Sequence, residues 1–175
     1  MTNLKRINSA GVELALDKAQ HYRLLNEPLL AESICLDVLE VEPKNQRALV
    51  TLVLALTDQF STRLHDAQQQ AANLIPQLAN EYDRHYYEGI LHERWASVQF
   101  ERGSGLRSAP EWLGKAMRCF ELAEQLTDSK NPDPILRWNT CARLCDMVRV
   151  NEPDPESESL TRDIQGEFGG DVDLR

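Results

Sequence analysis

No apolar run in this 175-residue chain approaches the ~20 residues needed to cross a bilayer, so no membrane contact is expected. Glycine is sparse, eight residues in all, and none sits in a phosphate-cradling loop after a strand. The H-E-x-x-H zinc helix and the G-x-S-x-G elbow are equally missing. Four cysteines leave little for a metal centre: Cys141 and Cys145 stand one helical turn apart, with no second pair at zinc-site spacing. Cys35, Cys119, Cys141 and Cys145 all fall in apolar helical patterns, so buried thiols in a reducing compartment are expected. The N-terminal stretch MTNLKRINSAGVELALDK has a basic pair without an unbroken apolar core, so no signal peptide is expected and the expected location is cytoplasmic. These absences point away from an enzyme, and no cofactor or bound metal is expected.

Basic charge is also short. The net charge is −9, and residues 151–175 hold eight acids against two arginines, which puts −6 there and −3 on the preceding 150 residues. A nearly balanced body offers no basic face to displace counterions, so nucleic acid is not an expected partner.

What is present is helical periodicity over a chain long enough for a sizeable core, with 42% hydrophobic residues. In residues 12–45, Ala15, Ala19 and Tyr22 recur at spacings of four and three, one stripe of a helix. Asn26-Glu27-Pro28 breaks it and starts another helix, since proline fits the first turn. That second helix carries Ala31, Cys35 and Val38 at the same spacings, and Pro43 stops it. A hairpin this short cannot bury its own apolar faces and needs neighbours of its kind. The order Ala19, Tyr22, Ala31, Val38, Pro43 resembles a tetratricopeptide repeat (TPR), with Ala15 and Cys35 standing where that family usually has larger aromatic residues.

The same pattern continues down the chain. Leu49, Leu52, Val53 and Leu56 match the first-helix stripe in 46–58, and Val50 and Leu54 make that helix apolar nearly all round, as an enclosed or groove-lining helix would be. A partner helix is expected from about residue 62 or 63. Its stripe of Leu64, Ala67, Ala71, Leu74 and Leu78 contains Pro76, so two endings are open: a stop at Pro76, or a continuation to Ala79. Residues 81–101 read as a longer helix, and 102–110 as a stretched connection. Ser108 and Pro110 then start a helix whose Ala116, Phe120 and Ala123 repeat the second-helix pattern. Asp133-Pro134 opens a last helix bearing Trp138, Cys141, Ala142 and Cys145. Asn151-Glu152-Pro153 echoes Asn26-Glu27-Pro28, and a short helix over 155–165 in the acidic tail is one reading, an unstructured tail the other.

The resulting expectation is an all-α chain: a lead-in over 1–10, a helical repeat domain over 11–150, and an acidic tail over 151–175. The resemblance implies a right-handed superhelix of about three TPR-like pairs with a C-terminal capping helix. It also implies an interaction module whose concave groove, lined by the first helix of each pair, holds a peptide or helix of a partner protein. Mapped on this chain, the groove residues are Leu16, Gln20, Arg23, Arg47, Val50, Leu54, His85, Glu88, His92, Asn139, Arg143 and Asp146. Leu16, Gln20 and Thr51 stand where carboxylate-clamping members carry Lys, Asn and Arg, so that clamp is not implied. Two alternatives stand beside it: a holding chaperone for a dedicated client, resembling the family's small acidic chaperones, or a self-associating structural protein. His85, Glu88 and His92 also have the spacing of metal ligands on one helix face, although a polar binding face is the preferred expectation. Neither the partner nor the oligomeric state is legible.

Overall fold

The structure, a computed structural model, describes residues 3–102 and 108–151. The expected tail helix at 155–165 lies outside the described residues, as does the middle of the 102–110 connection. Seven α-helices follow one another, and there is no strand among the described residues: α1 (Val12–Leu24), α2 (Pro28–Val41), α3 (Gln46–Thr57), α4 (Leu64–Leu74), α5 (Glu81–Glu101), α6 (Ala109–Gln125) and α7 (Asp133–Asn151).

Local chemistry sets most of the boundaries. Asn26 adopts a left-handed conformation (φ 61°), which asparagine tolerates better than most residues, and this ends α1 before Pro28 opens α2. Asn45 caps α3 by accepting from the Ala48 N–H at 2.9 Å, and Asn80 caps α5 by accepting from the Tyr82 N–H at 3.0 Å. Each side chain satisfies an amide that has no partner within its helix. Asn131 does the same ahead of α7, accepting from the Asp133 N–H at 3.1 Å. Pro76 resolves the open choice in the fourth helix: α4 stops at Leu74, and Ile75–Gln77 tightens into a 3-10 turn. Leu78 beyond it is extended yet buried, so its place on the apolar stripe reflects packing and not continued helix.

Consecutive helices pack against one another, and α1 with α3, α3 with α5 and α5 with α7 also touch. Side chains mark the interval between these alternate helices. Arg47 on α3 reaches Glu13 on α1, 34 residues away, and Arg94 on α5 reaches Asp58 at the end of α3, 36 residues away. From α5 to α7 the interval grows to 44, in the bond from Arg137 to Glu93, because α5 alone runs 21 residues.

The core forms three groups of buried side chains. Val12, Leu16, Val38 and Ala48 join α1, α2 and α3, with Ile7 of the lead-in packed against them. Ala19, Cys35, Leu52, Val53, Leu56, Phe60, Ala67, Ala71 and Leu91 belong to the second, central group. The third draws Ile90 and Ala96 of α5 to Leu113, Ala116 and Phe120 of α6 and to Cys141 and Val148 of α7, with Leu54 against it. Helix α3 is the enclosed one, with eight of its twelve residues buried. The lead-in is tied down as well, since Arg6 donates to the Glu40 carbonyl at 3.1 Å. Burial of the thiols is uneven: Cys35 and Cys141 are buried as expected, whereas Cys119 and Cys145 are only half-buried.

A glycine on α5 makes room for an aromatic ring of α6. The Phe120 ring lies over Gly89, so that a Cβ there would stand 2.6 Å from the ring edge, and Tyr86 meets the same ring edge-on at 5.8 Å. Gly89→Ala should therefore destabilise the fold by about 1–3 kcal/mol, the usual cost of overpacking a filled core, despite alanine's better helix propensity. Urea denaturation followed by circular dichroism measures this; an unchanged midpoint would mean that the helices do not meet there.

Candidate functional site

The structure divides the twelve expected groove residues among three places. The first spans α1 and α3. Gln20 and Arg47 are exposed there, Val50 and Leu54 half-buried, and Arg47 joins Glu13 and Asp17 across the helix pair. Leu16 is a correction. It retains 1% of its surface inside the group with Val12, Val38 and Ala48, because its turn of α1 faces α2 and α3. Leu54 contributes to packing too: it lies on the α5–α6 group, and its carbonyl is approached by Arg94 at 3.4 Å.

Arg23 belongs to a charged bridge at the C-terminal end of α3. Its Nε lies 2.7 Å from Asp58 Oδ2 as a charge contact, with no aligned hydrogen bond at that nitrogen. Arg94 of α5 pairs with the other Asp58 oxygen and donates to the Thr57 hydroxyl at 2.7 Å. Burial holds the Arg94 pKa below its usual value while Asp58 opposes that shift, so the ion pair offsets the desolvation of the guanidinium. A second bridge follows on α5. Glu93 keeps 6% of its surface and accepts from Arg137 of α7 through both oxygens, at 3.2 and 3.3 Å. Burial raises the Glu93 pKa and Arg137 pulls against it.

His85, Glu88 and His92 are a second correction. They line the wall of a groove of about 310 Å³ between α5 and α4, opposite Gln68, Ala72, Ile75 and Pro76. They therefore face α4, and His92 also α6, and not the side on which α1, α3, α5 and α7 meet. The physical reason is angular. Tyr87, Arg94 and Val98 occupy the α3-facing side of α5, and His92 comes nearly half a turn round, against Trp112 of α6 with ring centroids 5.3 Å apart. Asn139, Arg143 and Asp146 form the third place. They are half-buried or exposed on α7, away from its buried stripe of Pro134, Cys141 and Val148.

A further site was not anticipated in the sequence. Ala96, Phe100, Ala109, Leu113, Leu144, Met147 and Val148 line a largely apolar cleft of about 250 Å³ where α5, α6 and α7 come together, with Ser97 and Glu101 at its polar edge. Met147 keeps 53% of its surface exposed. None of these residues lies on an apolar stripe read from the sequence, and periodicity carries no sign that the end of α7 leaves a gap.

A scan against known protein families, curated proteins and solved structures gives no match to this chain. Among the described residues, no helix is long and apolar enough to cross a membrane.

His92 makes stability depend on pH. Burial, with Lys115 and Arg118 nearby, pushes its imidazole down to about 4, whereas an unfolded chain titrates near 6.5. Its contribution is present above pH ~6.5 and is lost as pH falls toward 4, because the unfolded state takes up the proton first. Glu93, with its raised pKa, contributes in the opposite sense below the carboxylate range. The His92 effect is therefore read as a difference: wild type should lose up to about 3 kcal/mol between pH 7 and 4 relative to His92→Gln. Parallel stability profiles for the two proteins would contradict the assignment.

Proposed function

We propose that this chain is a protein-interaction module of TPR-like build, holding a peptide or helix of a partner protein along the side shared by α1, α3, α5 and α7. The observation that carries the reading is the apolar cleft formed by the alternate helices α5 and α7 together with α6, lined by Phe100, Leu113, Leu144 and Met147. Apolar side chains of a partner gain most where a small pocket excludes water, and a few such anchors usually dominate binding energy. Methionine suits the role because it adapts to differently shaped occupants.

Two features support the repeat character of the binding side. The links between α1 and α3 and between α3 and α5 recur at 34 and 36 residues, the interval of a helical-pair repeat of this type. The turns are tied at a similar interval, with Gln46 Oε1 accepting from the Ala79 N–H, 33 residues away. Toward α1, this side becomes polar, with Gln20 and the Arg47–Glu13–Asp17 group available to orient a ligand anchored at the apolar end. Within this reading the family's reaction-free mode of action carries over: recognition by surface, with no catalytic step.

The test is affinity capture from native cell extract with mass spectrometry, comparing wild type with Met147→Glu. The substitution places a charge at an exposed position, so helicity should be unchanged while captured partners lose about 2 kcal/mol of binding, the scale of a binding hot spot. Full retention of the same partners by a folded Met147→Glu protein would reject the cleft as the anchor.

A further inference from the structure

The fold brings Cys119 of α6 to two side chains, Glu88 and His92, that share one face of α5. Glu88 and His92 lie one turn apart on α5, with Glu88 Oε1 3.9 Å from His92 Nε2. Cys119, on the neighbouring helix α6, completes a group in which one ligand atom from each residue lies within 4.8 Å of the others. We propose that Glu88, His92 and Cys119 form a binding site for a divalent transition-metal ion of the zinc class, bridging α5 to α6 with further coordination from solvent in the adjoining groove.

The donor set selects the ion. A thiolate and an imidazole favour zinc and its transition-metal neighbours over magnesium or calcium, which take oxygen ligands. The ligand distances in zinc sites are about 2.0–2.3 Å, so atoms within 4.8 Å of one another require only modest side-chain adjustment to converge on one ion. His92 Nδ1 is buried without a hydrogen-bond partner, and Nε2 is the nitrogen near Glu88. A neutral imidazole is the state that binds metal.

Charge and access fit as well. Glu88 and a Cys119 thiolate supply two negative charges, which neutralise a divalent ion. Binding replaces the thiol proton: Cys119 Sγ–H gives its proton to solvent as the sulfur–metal bond forms. Because that proton must leave, uptake should strengthen with rising pH. The nearby cations do not close the site. Lys115 is 2.8 Å from Glu111 and lies over the Trp112 ring at 3.9 Å, and Arg118 is exposed. Glu88 keeps 46% of its side-chain surface and lines the groove between α5 and α4 together with His92, which gives an ion a route from solvent.

Cobalt(II) titrated into the full chain under reducing conditions tests this, because a cobalt–thiolate bond gives a charge-transfer absorption in the near ultraviolet. Wild type should show that absorption saturating at one equivalent and abolished by competing zinc. Cys119→Ser should remove it, and Cys141→Ser should keep it. Glu88→Gln, at a partly exposed position that the core does not use, should weaken uptake by about tenfold or more, the scale that losing even an outer-shell partner costs. No charge-transfer absorption in folded wild type, or its persistence in Cys119→Ser, would overturn the proposal.

Discussion

One carboxylate joins three helices. Asp58, at the C-terminal end of α3, meets Arg23 of α1 on one side and Arg94 of α5 on the other. Helix α3 is buried over most of its length, so its end is where a charged side chain can serve both neighbours. The position suits the task, because the helix C-terminus carries partial negative charge that reinforces the attraction for both guanidiniums. Arg94 reaches both the Leu54 carbonyl and the Thr57 hydroxyl of that last turn. Apolar packing alone fixes α3 against its neighbours only approximately, since side-chain ridges tolerate some sliding. Two ion pairs to a single acceptor fix the registers of α1 and α5 to the same point.

The rest of the array follows from that register. With α5 set against α3, its opposite sides are assigned. Glu93 turns to Arg137 and binds α7, Gly89 lets the Phe120 ring approach from α6, and His92 is left between α4 and α6. The apolar cleft at the far end arises where α5, α6 and α7 meet without enough large side chains to fill the space between them. Ala96 and Ala109 line it alongside Phe100 and Leu113. Small residues that permit close helix contact in one place leave volume in another.

Much of the helical plan was legible in the sequence because its signals are local. Asn26-Glu27-Pro28, Pro43 and Asp133-Pro134 act within a few residues of the boundaries they set. Periodicity likewise identified Ala31, Cys35, Val38, Ala116, Phe120 and Ala123 as core. It was less informative where a stripe serves two purposes. Leu16 and Leu54 match groove positions by spacing but pack inward, because helix rotation is decided by neighbours that spacing does not specify. His85, Glu88 and His92 were correctly placed on one face of α5, yet that face turned to α4 and α6. The long-range polar partners left no trace in the sequence: nothing near Asp58 points to Arg94, and nothing near Cys119 points to Glu88. A bond between residues some 30 positions apart has no local period.

The dependence on Asp58 can be measured as a coupling energy. In a double-mutant cycle of Asp58→Ala and Arg94→Ala, followed by urea denaturation, the two losses should be non-additive by about 1 kcal/mol or more, as expected for residues in one charge network. Repeating the cycle with Arg23→Ala should give a second coupling of the same sign. Losses that add to within about 0.3–0.5 kcal/mol, the behaviour of independent sites, would contradict the account that one carboxylate sets the register of three helices.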